Sequence, residues 1–171
     1  MNRILITLLI SALTASAATY CVGPSATGNG SGSDWNNQKA WSSTFTRGDT
    51  WYLRGGTGYG DVSFTSASSG TTRNTIKKAT ASDHVTETGW VAAYGTDQAS
   101  CGNFDINAAN SGYWTVDGQQ GDYYAGTSYG IRFYQGSSGQ QTLNFVNGGA
   151  NSILRHPLSA RRQRSRYHQV R

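Results

Sequence analysis

The chain has 171 residues, 22 of them Gly and only 2 Pro, with 13% charged and 12% aromatic residues. That length suits one domain with a real core and is short for two; low charge with many aromatics excludes a disordered polyelectrolyte and fits an all-β protein rich in tight turns. The formal charge of +5 is misleading, because between Ala18 and Ile153 seven basic residues face nine acidic ones and the excess sits in Arg3 and in six arginines from Arg155 to Arg171. The body is not basic, so nucleic acid is not an expected partner.

Residues 1–18, "MNRILITLLISALTASAA", have the parts of a secretory signal in order: Arg3, the apolar run Ile4 to Leu13, and Ala15-Ser16-Ala17 as an A-x-A cleavage site. The run is shorter than the ~20 residues a bilayer span requires. The mature chain is therefore expected outside the cytoplasm, secreted or periplasmic, with no membrane attachment after cleavage. Cys21 and Cys101 form an even pair in an oxidising compartment, which admits a Cys21–Cys101 disulfide. Two small buried thiols are the other reading.

"GPSATGNGSGSDWNN", residues 23–37, reads as a polar loop ending in a helix start. Ser33 or Asp34 is placed to cap a short helix carrying Trp35, Trp41 and Phe45 on one side. Short β-like runs follow: "TWYL" at 50–53, "VSFT" at 62–65, "NTIKKAT" at 74–80, "NFDI" at 103–106, "YWTVDG" at 113–118, "GIRFY" at 130–134 and "TLNFV" at 142–146. Clusters of Gly, Ser, Asn and Asp punctuate them. The spacings of Ile106, Ile131 and Ile153, and of Val116 and Phe145, suggest one short strand per stretch of a parallel solenoid. A β-sandwich also has short strands at regular spacing and remains the alternative.

The leader, the "YCVGPSATGNGSGSDWNN" opening, "RGDTWYLRGGTG", "TIKKATASDH" and "GYWTVDG" together resemble the start of secreted right-handed parallel β-helix proteins of the pectin-lyase-like superfamily. The resemblance covers roughly Thr19 to Ile153 and implies a right-handed parallel β-helix with a short N-terminal capping helix, residues 47–58 forming its first strand and turn. Gly58 stands where a Tyr usually follows "GGT", with Tyr59 next. The family contains many polysaccharide lyases and glycoside hydrolases, so the resemblance also implies an extracellular polysaccharide as partner and admits calcium as a cofactor.

Residues 154–171, "LRHPLSARRQRSRYHQVR", break with everything before them: no Gly, no acidic residue and six arginines. A basic tail that meets anionic polymers, a solvated end, and translation out of frame are the three readings. The abruptness of the change favours the last, and with it a β-helix truncated at its C-terminus, since a stack stopped there would leave open strand edges.

Lyases of uronic-acid polymers neutralise a carboxylate and abstract the neighbouring proton, often with Arg or Lys as base, whereas hydrolases use paired carboxylates. The densest ionisable cluster is "KKATASDHVTE", which offers Lys77, Lys78, Asp83, His84 and Glu87. The plainer reading is an edge-protecting lysine pair followed by a loop. No catalytic motif of the family matches these positions. Trp90, Tyr113, Tyr123 and Tyr124 are candidate platforms for sugar rings, though aromatics at such spacing also fill cores. The expectation is the N-terminal part of a lyase- or hydrolase-like protein, inactive by itself because its catalytic groove lies beyond residue 153. A non-catalytic carbohydrate- or surface-binding solenoid is the alternative, marked by outward Thr, Asn and Ser ladders.

Overall fold

The computed structural model of the protein describes residues 16–42, 44–64, 67–106, 112–120, 129–133, 143–144, 153–155 and 159–160. The leader through residue 15, Tyr123, Tyr124, and 156–158 and 161–171 of the basic segment lie outside the described residues. The strands are β1 (Thr19–Gly23), β2 (Lys39–Ala40), β3 (Thr50–Leu53), β4 (Thr57–Tyr59), β5 (Val62–Phe64), β6 (Asn74–Lys78), β7 (Ala99–Cys101), β8 (Phe104–Ile106), β9 (Trp114–Asp117), β10 (Ile131–Phe133), β11 (Leu143–Asn144), β12 (Ile153–Arg155) and β13 (Ser159–Ala160). A single-turn helix, α1 (Ala92–Thr96), interrupts the connection from β6 to β7.

From β3 onward the chain visits three parallel sheets in fixed rotation. β3, β6, β9 and β12 join β1 and β2 in a six-stranded sheet of order β12-β9-β6-β3-β1-β2. β4, β7, β10 and β13 form a four-stranded sheet, and β5, β8 and β11 a three-stranded one. Every pairing between these strands is parallel, which rules out an antiparallel sandwich for the described residues. The fold is all-β, with almost no helix.

Two expectations are corrected. Ile106, Ile131 and Ile153 do not mark successive rungs, because they belong to β8, β10 and β12, one in each sheet. The true rungs of the six-stranded sheet pair Trp51 with Ile76 and Ile76 with Val116. Nor does a capping helix form over the described residues of 34–45. The Asp34 carboxylate accepts hydrogen bonds from the Asn36 and Asn37 amides, so it ends a turn, and the chain then pairs as β2 on β1. Trp35, Trp41 and Phe45 do turn inward, but into two separate clusters. Beyond Ile153, the basic segment contributes β12 on β9 and β13 on β10.

Alternation along each strand sorts the core from the surface. In β6, Asn74, Ile76 and Lys78 are buried while Thr75 and Lys77 are half-buried on the outer face. Between the sheets lies an aromatic core: Phe45 stacks on Trp51 with centroids 4.1 Å apart, Phe64 leans on Trp114 at 4.6 Å, and Trp41 meets Trp51, Tyr59, Phe64 and Phe104 edge-on or tilted. Each such ring, fully buried, contributes about 1.5–3 kcal/mol. Cys21 and Cys101 are free buried thiols in different clusters, Cys21 beside Trp35, Tyr52 and Ala79, and Cys101 in the main core. Burial, reinforced by Asp34, pushes the Cys21 thiol up to about 12, and burial pushes Cys101 up as well.

The paired glycines of "RGGTG" hold the first turn against the long β6–β7 connection. Gly55 donates its amide to the Tyr94 carbonyl at 2.8 Å, and a methyl group on its Cα would stand 2.0 Å from the Asp97 carbonyl oxygen. Gly56 takes φ +73, a left-handed conformation open to glycine at little cost. Lys78 fixes the same connection from inside. Fully buried, its Nζ donates to the carbonyls of Ala79 at 2.6 Å, Tyr94 at 2.5 Å and Gly95 at 3.2 Å, the last two in α1. Burial lowers its pKa to about 8, with Asp97 opposing, so it remains an ammonium at neutral pH.

Gly55→Ala is expected to destabilise the fold by about 1–3 kcal/mol through that backbone clash. Gly58→Ala, whose added methyl meets nothing within 4 Å, should change it little; urea unfolding of the two variants makes the comparison. Lys78→Met is expected to cost about 1–3 kcal/mol by leaving the Ala79 carbonyl without its donor and taking one of two donors from the Tyr94 and Gly95 carbonyls, and to raise amide hydrogen exchange across residues 79–98 before the rest of the chain.

Candidate functional site

The outer face of the six-stranded sheet carries two ranks of side chains. In the first, Thr19 pairs with Thr50, Thr50 with Thr75 and Thr75 with Thr115, and Ile153 ends the row. In the second, Cys21, Tyr52, Lys77, Asp117 and Arg155 stand on successive rungs. Parallel strands lie ~4.8 Å apart, so each rank repeats at that interval. Members of both ranks, joined by Arg73, line an open groove of about 380 Å³.

A wall rises beside the groove from the excursion 79–98. Trp35 anchors it: its indole N–H donates to the His84 carbonyl at 2.9 Å, and its amide donates to the Thr88 carbonyl at 3.1 Å. Trp90 and Tyr94 pack on Trp35 with centroids 5.3 and 5.6 Å away. His84 stacks flat on Trp90, its Nδ1 2.9 Å from the Thr80 carbonyl oxygen and its Nε2 2.9 Å from Glu87 Oε1. Val85 has φ 72, an uncommon conformation for a β-branched residue. The wall is thus a packed structure rather than a loose loop.

From this wall Asp83 reaches Tyr52 and Lys77, two residues of the groove lining. Tyr52 Oη donates to Asp83 Oδ1 at 2.7 Å; Lys77 Nζ donates to Asp83 Oδ2 at 2.5 Å and to Tyr52 Oη at 3.3 Å. Burial alone would raise the Asp83 carboxyl, but the bonds from Lys77 and Tyr52 and the Lys77 charge hold it below the usual range. Burial likewise pulls Lys77 down, yet its bonds to Asp83 and Tyr52 outweigh that and raise it. The Tyr52 phenol is raised, chiefly by burial and by Asp83. All three shifts move away from neutrality. Lys77 therefore stays a cation, Asp83 an anion and Tyr52 a phenol, and none is poised to exchange a proton near pH 7.

The cluster "KKATASDHVTE" is divided accordingly. Lys77 and Asp83 meet at the groove, Lys78 turns into the core, and His84 pairs with the exposed Glu87 on the wall. Trp90 is a half-buried packing residue of the wall, and Tyr113, at φ 64, lies outside the groove lining with the Arg73 guanidinium 5.7 Å from its ring centroid. Sequence reasoning passed over Tyr52, Arg73, Arg155 and the threonine rank; Asp117, which reads from sequence as an acid carboxylate or a turn aspartate, lines the groove and also accepts the Gln119 amide at 2.9 Å. A signal for the rank exists: "TYCV", "TWYL", "TIKK" and "TVDG" all open with Thr and place an inward hydrophobic residue next. The calcium that the resemblance implies finds no ligand set among the described residues, where no three His, Cys, Asp or Glu side chains gather.

Comparison of the chain with family models, curated proteins and solved structures found no match in any of the three.

Asp83 contributes stability above its unfolded pKa, near 3.8, and loses it as pH falls through its lower folded value. Lys77 contributes below its unfolded pKa, near 10.5, and loses it as pH rises through its higher folded value. Lys77→Met is therefore expected to cost about 1 kcal/mol at neutral pH, discounted because water still reaches both side chains. The difference from wild type should shrink as pH falls through the lowered folded-state value of Asp83; paired denaturant titrations at neutral and at acid pH read it.

Proposed function

We propose that the chain is a stack of coils of a secreted right-handed parallel β-helix, related to the pectin-lyase-like proteins, whose groove holds a hydroxyl-rich extracellular polysaccharide. The single observation that carries the binding part is the groove itself: a rank of threonine hydroxyls at strand spacing beside Tyr52, Lys77, Asp117 and Arg155. A sugar chain needs closely spaced donors and acceptors along an extended path, and this face supplies them in register. The fixed rotation through three parallel sheets supports the helical reading, and parallel crossovers are right-handed in nearly all proteins. The leader motif supports secretion.

Between catalysis and binding, the described residues favour binding. A lyase needs a base that gives up its proton near the working pH, and Lys77 and Tyr52 are both shifted upward. The catalytic groove of any larger enzyme then lies in coils other than these.

The purified chain is expected to be retarded in native gels cast with soluble polysaccharide. Thr75→Val and Thr115→Val, which keep the β-branched shape and remove the hydroxyls, should each weaken that retardation several-fold. No rise in unsaturated-product absorbance is expected on alginate, pectate or chondroitin. Retardation indifferent to both threonine substitutions would sink the groove reading, and measurable turnover would sink the non-catalytic one.

A further inference from the structure

The groove places one cation between two carboxylates. Lys77 is bonded to Asp83 from the wall and faces Asp117 on the next rung, ~4.8 Å along the sheet. Tyr52, on the preceding rung, donates to Asp83 rather than to the groove. Arg73 and Arg155 are the other charged side chains of the lining. Counting Asp83 with the lining residues, three cations meet two anions, and the negative charge is concentrated around Lys77. The wall that carries Asp83 is fixed by Trp35, His84 and Trp90, so the carboxylate is held in place whether or not a ligand is present.

We propose that Asp83 sets the charge selectivity of the groove: by occupying Lys77, it favours a hydroxyl-rich chain of low charge density and turns away a densely sulfated one. The proposal rests on the groove reading above. An incoming sugar hydroxyl can share Lys77 and Tyr52 with Asp83, because a hydroxyl both donates and accepts. A sulfate only accepts, so it competes with Asp83 for the same ammonium while standing beside a second fixed carboxylate at Asp117. Like charges set side by side across a binding surface reject partners more strongly than matched ones attract them.

The test compares wild type, Asp83→Asn, Lys77→Met and the double variant for binding to pectate and to heparin at fixed salt. Asp83→Asn keeps an acceptor for Tyr52 and removes the charge. It is expected to raise heparin affinity by about tenfold while changing pectate affinity much less. In the Lys77→Met background the same substitution should give a clearly smaller gain, because no ammonium is released, which separates the groove from the arginines beyond residue 155. Thermal unfolding checks that all four chains are folded. A heparin gain of equal size with and without Lys77 overturns the proposal, as does an unchanged heparin-to-pectate ratio in Asp83→Asn. If wild type and Asp83→Asn bind neither polymer, the groove reading itself falls, and the selectivity with it.

Discussion

Side chains on a strand alternate between faces, so a slip of β6 by one residue against β3 would carry Thr75 and Lys77 into the aromatic core and turn Ile76 out to water. The register that pairs Thr50 with Thr75 and Thr75 with Thr115 is therefore the constraint on which the outer face depends. What pins it lies on the inner side. Trp51, Ile76 and Val116 fill one column against Phe45, Phe64 and Trp114, and those rings leave no room for a lysine or a threonine in the same place. The threonine rank is in this sense a by-product of core packing. The core requires a large apolar group at the central inward position of β3, β6 and β9, filled by Trp51, Ile76 and Val116, and the positions on the other face become a regular array facing outward.

Lys77 and Lys78 are neighbours in sequence and opposites in consequence. Lys77 lies on the outer face, where a carboxylate and a phenol raise its pKa; Lys78 lies on the inner face, where burial lowers it to about 8. Each nevertheless binds the excursion 79–98, one through Asp83 and the other through the carbonyls of α1. Gly55 and Gly56 complete the attachment by letting the first turn lie against Asp97. The wall of the groove is thus gripped from both faces of one sheet. That is why Asp83 meets Lys77 at a defined distance although nothing in the excursion itself forms extended secondary structure.

Much of the strand content was legible because apolar residues at every second position and Gly- or Asn-rich turns are local signals. "TWYL" matches β3 in full, and the runs at 62–65, 74–80, 103–106 and 113–118 overlap β5, β6, β8 and β9. What was not legible was which strand follows which sheet, since Ile106, Ile131 and Ile153 look equivalent in sequence and belong to three different sheets. The helix expected after Asp34 failed for a related reason: a capping aspartate serves a turn as well as it serves a helix, and only the pairing of Lys39 and Ala40 on β1 decides between them. In the candidate site, Lys77 and Asp83 were visible as charges six residues apart. Tyr52 was invisible as their partner, because its contact with them is made across rungs.

The same cross-rung logic bears on what kind of ligand such a face can meet. A folded protein partner presents an irregular surface and gains affinity from a few large anchors in pockets, which this open groove of hydroxyls lacks. A nucleic acid gains affinity from phosphate neutralisation, and here the central cation is already matched by Asp83 with Asp117 on the next rung. An extended sugar chain gains from repetition: many modest hydrogen bonds, each exchanged against water for about 0.5–1.5 kcal/mol, added along a line whose spacing the protein sets once and repeats. Parallel strands set that spacing through backbone hydrogen bonds alone, so a surface of this type reaches useful affinity by length rather than by any single strong contact. On the proposed reading, the charge pattern at Lys77 would select among such chains, while the threonine rungs would supply the repeated contacts that any of them needs.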